Sequence, residues 1–485
     1  MVQLLLEQVV HVKWGSYCIN MDQLRSVSTT GHSVAPGAAT GSQGISRVRV
    51  LNEHGDFTQP MRIGWANSDF TADSTPHAAD IDGAEFWLIP GLVDAHVHAA
   101  WHAFDASDRS RLSPERTRLA TAEGLARTLR AGITSVRDAG GLDAAALAAI
   151  PNSARPRVQL SVMMIDRATA DAAGGLDRAV ERALAGGAQW IKLVATAGVA
   201  SPEGTGLDPL FTSAETLDAV GRADQAGAGV MVHAWGGSAI DAAIEAGARS
   251  IEHGIFLTRD QAERAAEHGL TFVPTLRIYH LVAEMIESGA LPQTFRARVA
   301  EATAAHPGAV RLARDAGLAI AVGTDSGTPE QHGTAKLEVA ALVAAGLTPQ
   351  EALLAATRSG AALLASVETS RQPNHSGAEK TTQRPLVRRA PVAPSQASPV
   401  AHGTISPGAL ADAVLLRRDP REPGALSDPQ SVAGVLLGGN WHYVDPGRDP
   451  DPERASEATT RPNHAPVYTP DSSHTSPSSA RKDSQ

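Results

Sequence analysis

The chain has 485 residues, with 52 acidic side chains against 42 Lys and Arg and a formal net charge of -10, a balance that argues against a phosphate-backbone partner. This length supports a well-buried core without covalent staples, and Cys18, the single cysteine, excludes an intramolecular disulfide, as in a reducing cytoplasm. The opening "MVQLLLEQVV" has no basic segment and is broken by Glu7, so it makes a poor signal peptide, and no apolar run reaches transmembrane length.

Residues 1–88 carry short strand-like runs, "SRVRVLN" and "MRIGWA", around a Gly/Ser/Thr/Ala-rich stretch at 27–44 that reads as a loop. Between 91 and 325, short apolar strands alternate with helical patterns. The strands are "GLVDAHVH" (91–98), "GITSVRD" (132–138), "RVQLSVMM" (157–164), "WIKLVAT" (190–196), "GVMVHAW" (229–235), "RSIEHG" (249–254), "LTFVPTL" (270–276) and "LAIAVGTD" (318–325). The first long helix is predicted to start with Ser113 as N-cap and Pro114 in the first helical position, and to close on Gly132. Eight strands alternating with helices predict an α/β chain whose residues 89–365 form a (β/α)8 TIM barrel. An open doubly wound sheet is the alternative, but no glycine-rich phosphate loop follows the first strand.

Residues 366–401 are polar and Pro-rich, with basic residues at 384–389, and read as a disordered insertion; the Asp/Pro/Ser/Thr-rich tail 446–485 reads the same way. Residues 402–445 return to strand-like text in "GTISPGALADAVLL" and "VAGVLLGGNWHYV", where Gly438-Gly439-Asn440 suits a tight hairpin turn. The segments 1–88 and 402–445 are expected to form one small, discontinuous β-sandwich-like domain with the barrel inserted between them.

Polar residues punctuate the barrel strands. In "DAHVH", His96 and His98 are two apart at the end of the first strand, where period-two geometry points both imidazoles to one face, as two zinc ligands require. His-x-His alone is unspecific. Lys192 interrupts the apolar "QWIKLVATAG" of the fourth strand, His233 ends the fifth, His253 the sixth and Asp325 the eighth. Singly, these are a snorkelling lysine, satisfied core histidines and a helix-capping aspartate. Together they lie at or near the carboxyl ends of separate strands, the face on which such barrels build active sites, and they imply a metal centre.

On "PGLVDAHVH", "IKLVATAG", "VHAWG", "EHG", "GTDSG", "GLTPQEALLAATRSGAALL" and "GTISPGALADAVLL", the chain resembles the amidohydrolase superfamily of metal-dependent hydrolases. It is most similar to the imidazolonepropionase-like and Xaa-Pro dipeptidase-like enzymes, in the binuclear branch whose fourth-strand lysine is carboxylated. The resemblance implies two divalent ions, zinc first, with manganese or another ion as the alternative. His96, His98 and Asp325 would hold one ion, His233 and His253 the other, with a CO2-derived carbamate on Lys192 between them. Burial among apolar neighbours disfavours the lysine ammonium, and the neutral amine can react with CO2.

The implied reaction is hydrolysis of an amide-type C–N bond in a small dipeptide-like or N-acyl amino acid-like substrate, by a metal-bridging hydroxide with Asp325 as general acid and base. "TLRIYH" offers Arg277, Tyr279 and His280 as substrate contacts at the rim, and the resemblance favours Tyr279 as donor to the substrate carbonyl. His102 and His332 are expected to be surface histidines. "SVMMIDRATADAAGGLDRA" lacks the Gly-Gly-His element that relatives cleaving dipeptide-like substrates often carry after the third strand, a departure from the carboxypeptidase and prolidase pattern. The competing readings are a cyclic-amide hydrolase of the hydantoinase or dihydroorotase kind, a mononuclear deaminase, and a catalytically silent binding scaffold. The expected partner is a small-molecule amide, without nucleic acid or membrane, in the cytoplasm, with homo-oligomerisation left open.

Overall fold

The computed structural model describes residues 43–104, 106–199, 201, 204–368 and 403–444. The expected tail, the basic residues at 384–389 and all but the first three residues of the expected insertion lie outside the described residues. Residues 366–368 instead close the helix Gly360–Glu368. The expected loop lies outside them up to residue 42, and Gln43 and Gly44 open the first strand instead.

The N-terminal strands are β1 (Gln43–Val50), β2 (Met61–Ala66), β3 (Asp69–Thr71), β4 (Ile81–Asp82) and β5 (Trp87–Pro90). The central strands are β6 (Leu92–Val97), β7 (Ile133–Asp138), β8 (Arg157–Gln159), β9 (Met164–Ile165), β10 (Trp190–Val194), β11 (Gly229–Ala234), β12 (Ser250–His253), β13 (Thr271–Val273) and β14 (Ala319–Ile320). The C-terminal strands are β15 (Ala413–Leu416), β16 (Val432–Leu437) and β17 (Asn440–Val444).

The two chain ends share one sheet of order β17-β16-β15-β5-β1-β2-β3, with β4 beside β1. Its join is β5 against β15, antiparallel, with Ile89 opposite Val414 and Leu88 opposite Leu415. Alternation gives this sheet two apolar faces. Leu88, Ala413, Leu415 and Leu436 pack with Ile45, Val48, Trp65 and Phe86, whereas Ile89, Val414, Leu416 and Val435 join the main core. The β16–β17 hairpin turns on Gly438 and Gly439, at φ 57° and 76°, the positive pair that a two-residue type I′ turn needs.

The central strands pair in parallel, and β6 and β12 are buried at every position, as expected of strands covered on both faces. They fall into two ladders, β6-β7-β8 and β9-β10-β11-β12-β13-β14. Two expectations are corrected here. "RVQLSVMM" is β8 and β9, separated where Val162 takes φ 65° and the Met163 N–H turns back to the Ser161 carbonyl at 2.7 Å. "LAIAVGTD" forms a named strand only at Ala319–Ile320: the Val322 N–H turns to the Ala355 carbonyl at 3.1 Å, and further on the Asp94 carboxylate takes the Thr324 N–H and hydroxyl at 2.9 and 2.7 Å.

Backbone hydrogen bonds nonetheless join the ladders at both sides. The Ala95 N–H donates to the Val322 carbonyl at 2.8 Å and Asp325 N–H to His96 carbonyl at 2.7 Å, while the Trp190 N–H donates to the Leu160 carbonyl at 3.0 Å. The helix Pro114–Arg130 starts as its sequence predicts, with Ser113 Oγ accepting from the Arg116 N–H. At one end of the strands, Val93, Ala95, Trp190, Met231, Val273 and Ala321 form an apolar layer with Ala361, Leu364 and Val367 of the helix Gly360–Glu368. The polar side chains collect beyond that layer, at the carboxyl ends. No helix among the described residues is long and apolar enough to cross a membrane.

Candidate metal centre

Strand register explains which side chains meet. Lys192 lies opposite Met231, and His233 lies opposite Val194 on one side and Glu252 on the other. Side chains in register on parallel neighbours share a face, so Lys192, His233 and Glu252 point the same way. His253 follows Glu252 directly, and simple alternation would turn it outward. Its φ of 70° breaks the alternation, and its ring comes to 5.1 Å from that of His96 and 4.5 Å from that of His233. Asp325 and Thr275, both at φ 53°, use the same left-handed geometry. Such backbone is uncommon for non-glycine residues and collects at functional sites, where surrounding contacts must hold it. Gly323 makes room: a Cβ there would meet the Val273 side chain at 2.5 Å and His96 Cβ at 2.7 Å.

His96 is the centre of the cluster. Its Nδ1 is 2.7 Å from Glu252 Oε2, and its Nε2 is 2.9 Å from Lys192 Nζ and 3.4 Å from Asp325 Oδ1. An ionised carboxylate only accepts, so the proton sits on Nδ1 and Nε2 presents its lone pair. His98 repeats the arrangement, with Nδ1 donating to the Gly140 carbonyl at 3.0 Å and Nε2 3.3 Å from the same Asp325 oxygen. His98 is also stacked on Trp101 at 3.8 Å. His253 Nδ1 is 2.8 Å from Thr275 Oγ1, and His233 Nε2 is buried without a hydrogen-bond partner among the described residues.

Burial dominates the electrostatics. It lowers the Lys192 ammonium to about 8, against the opposing pull of Glu252 and Asp325. Burial, then the Lys192 charge, lowers His233 to about 3, and burial with His233 beside it takes His253 well below its usual range. These imidazoles are therefore neutral at pH 7. Burial alone would raise Asp325, but the surrounding imidazoles of His96, His98 and His253 outweigh it and hold the carboxyl well below the usual carboxylate range. Burial would also raise Glu252, but the Arg137 guanidinium, the His96 hydrogen bond and the Lys192 charge together outweigh it, bringing the carboxyl to about 2. Arg137 Nη2 is 2.9 Å from Glu252 Oε1, and its Cζ lies 4.5 Å from the Trp190 ring centre.

Neutral imidazole lone pairs facing an ionised carboxylate and a depressed lysine make a donor set that fits divalent cations. Ligand atoms of His96, His253 and Asp325 all lie within 4.8 Å of one another. His98 and Lys192 touch this group, and the His233 ring lies 4.5 Å from that of His253.

The rim residues separate. Tyr279 is buried with its ring edge-on to His253 at 6.1 Å, and burial pushes its hydroxyl well above 10, so it keeps its proton. Arg277 is half-buried, its backbone N–H donating to Glu338 Oε2 at 3.2 Å, and His280 is exposed. Neither makes a described contact with the cluster. His332 is a correction: it is buried, its Nε2 is 3.2 Å from the Trp101 carbonyl, and its ring occupies space left by Gly124, where a Cβ would stand 2.9 Å from Cδ2. His102 is half-buried with both ring nitrogens enclosed. Sequence reading missed Glu252, Arg137, Thr275 and Asp138. Asp138 accepts the Ala99 and Gly140 N–H groups at 3.0 Å each, and burial raises it to about 7. A charged residue inside an apolar strand singled out Lys192, and the same signal is present in "ITSVRD" and "SIEH".

Comparison with known proteins agrees with this geometry. Residues 87–366 match the Amidohydrolase family. An uncharacterized protein of Mycobacterium tuberculosis is 30% identical over 275 residues, covering 56% of this chain and 72% of that protein. Ochratoxinase of Aspergillus niger is 27% identical over 283 residues, 58% of this chain and 52% of that protein. Its crystal structure aligns with a TM-score of 0.67 at 22% identity, over 84% of this chain and 96% of that one. A Xaa-Pro dipeptidase crystallised with methionine in its active site aligns with a TM-score of 0.70 at 24% identity, over 84% of this chain and 100% of that one. The structural likenesses show a shared fold, and with the family match spanning more than half of its length, the chain belongs to the Amidohydrolase family and is a hydrolase of carbon–nitrogen bonds.

Proposed function

We propose that this protein is a binuclear, metal-dependent amidohydrolase that cleaves an amide-type C–N bond in a small dipeptide-like or N-acyl amino acid-like substrate. The observation that carries the reading is the convergence of His96, His98, Lys192 and Asp325 within 3.4 Å contacts, with His253 and His233 ring to ring beside them. His96, His98 and Asp325 would hold one ion and His233 and His253 the other, with a carbamate on Lys192 between them; zinc is the metal favoured. Such ions, when bound, supply Lewis acidity toward a carbonyl and a hydroxide nucleophile from water near neutral pH.

The chain's own residues do the rest. Asp325, ionised at neutral pH, accepts the proton of the attacking water and returns it to the leaving amine. Tyr279, held protonated by burial, donates to the substrate carbonyl. Glu252 and Gly140 keep the Nε2 lone pairs of His96 and His98 turned inward. Two further parts of the reading are the closure of both parallel ladders into one (β/α)8 barrel over residues 89–365, supported by the hydrogen bonds at both seams, and a β-domain assembled from residues 1–88 and 402–445. A cytoplasmic location is favoured by the single cysteine.

The test is a substrate panel on zinc- or manganese-loaded protein, scoring free amine, ammonia and ring opening separately. Amine release from N-acyl amino acids or dipeptides is expected. Ammonia alone would make the protein a deaminase, and ring opening of hydantoins or dihydroorotate without amine release would make it a cyclic-amide hydrolase. Bound metal without any turnover would leave the silent scaffold.

A further inference from the structure

Beside His253 lies a group of donors that the proposed chemistry does not use. Arg298, on the helix Arg296–Asp315, sets its guanidinium over the Trp235 ring, with Cζ 4.8 Å from the ring centre. One arm is occupied: Nη1 donates to the Thr205 carbonyl at 2.6 Å. The other edge, Nε and Nη2, is buried with no hydrogen-bond partner among the described residues. Trp235 is 1% exposed, and its Nε1 is buried beside the Tyr279 hydroxyl with no partner in hydrogen-bond geometry among the described residues. The Trp235 and Tyr279 rings are 5.5 Å apart, and Tyr279 is 6.1 Å from the His253 ring.

Buried donors without acceptors are costly and uncommon, and here they share one neighbourhood. Nε and Nη2 form the side of a guanidinium that matches both oxygens of a carboxylate. We propose that Arg298, assisted by Trp235 Nε1, binds the free carboxylate of the substrate and so selects amides that carry one. This rests on the amidohydrolase reading above and adds the anchor that orients the scissile bond. In an N-acyl amino acid the carboxyl carbon is three bonds from the scissile carbonyl carbon. Tyr279, between Trp235 and His253, is placed to address that carbonyl while Arg298 holds the acid. The residues packed around Trp235 and Tyr279, among them Ile255, Val282, Leu207 and Phe256, are apolar. Arg298 also supplies a carboxylate grip to a chain whose "SVMMIDRATADAAGGLDRA" has no histidine for that role.

The experiment compares N-acetyl-L-leucine with N-acetyl-L-leucinamide, scored by acetate release and by calorimetric binding, for the metal-loaded wild type, Arg298→Gln, Arg298→Lys and Trp235→Phe. The wild type is expected to prefer the acid. Arg298→Gln should raise KM for the acid about 30-fold or more with kcat nearly unchanged, and leave the amide within about twofold. Arg298→Lys keeps the charge without the fork and should fall between. Trp235→Phe should raise the acid KM about threefold. Equal losses on both substrates would reduce Arg298 to a tether for Thr205 and overturn the proposal, as would an unchanged acid KM. A wild type that cleaves the amide better than the acid keeps amide hydrolysis and refutes the Arg298 assignment. If the wild type cleaves neither these nor any substrate of the panel above, the functional reading fails, and binding decides alone: an acid preference lost in Arg298→Gln sustains the anchor, and equal binding of acid and amide overturns it.

Discussion

Lys192 Nζ lies 2.9 Å from His96 Nε2, and because His96 Nδ1 is committed to Glu252, the lysine must be the donor in that contact. The same nitrogen would face a metal if one were bound, so amine and cation compete for one lone pair. Conversion of the amine to a carbamate removes the donor and supplies two anionic oxygens. Lys192→Ala is therefore expected to lower metal content from about two ions per chain to one or fewer by elemental analysis, and stripped wild type should regain activity with metal only when CO2 is present. Equal metal content in both proteins, with equal activity, would remove the carbamate from the assignment.

Glu252 couples the ligand cluster to Arg137 in a buried ion pair at 2.9 Å. Glu252→Gln keeps an acceptor for His96 but strands the guanidinium, so we expect a stability loss of about 3 kcal/mol and a 10- to 100-fold loss of metal affinity, roughly. Adding Arg137→Met should restore most of the stability and little of the affinity. Urea unfolding and chelator competition separate the two effects; recovery of both together would mean that Glu252 acts on the metal site only through folding.

Asp325 sits at φ 53°, which asparagine tolerates nearly as well as aspartate. Asp325→Asn thus isolates chemistry from backbone strain, and kcat should fall by about a hundredfold to ten-thousandfold while the melting temperature changes little. Asp325→Val should lose both. An Asn variant with near-wild-type kcat would transfer the proton-handling role to another group.

Glu338 accepts the backbone N–H groups of Leu276 and Arg277 at the start of the helix that carries Tyr279. Burial raises its carboxyl from 4.5 to about 8 despite those bonds. The folded state then keeps a proton that the unfolded state releases, so this group's stabilising contribution is complete below pH 4.5 and is lost as pH rises toward 8. Chelator-treated wild type should lose stability to urea across that window, and Glu338→Gln should flatten the profile. Asp138, raised by burial to about 7, titrates with the same sign and leaves a residual slope. Parallel profiles for wild type and variant would show that Glu338 is ionised throughout.

The Lys192 oddity shows how the two levels of information divide. A lysine in an apolar strand is visible in the text, and so are the histidines and aspartate at strand ends, because period, caps and composition are local properties. Arg137 and Glu252 carried the same local mark, but their meaning lay in a contact across strands, with His96 and Glu252 separated by 156 positions. His332 went wrong for a related reason: its burial depends on Gly124 across the packing interface, not on its own loop.

By itself, the sequence determined the order of strands and helices, the helix start at Ser113, the Gly438–Gly439 hairpin and the residue types gathered at the carboxyl ends. Only the tertiary structure decided which imidazole nitrogen of His96 and His98 faces inward, since each of these tautomers follows the acceptor opposite its Nδ1. The same level divided "RVQLSVMM" at Val162, ended the last ladder at Ile320 and turned His253 inward through its left-handed φ. These outcomes depend on long-range hydrogen bonds and close packing that outweigh local strand preference, and that balance exists only once the strands are in register.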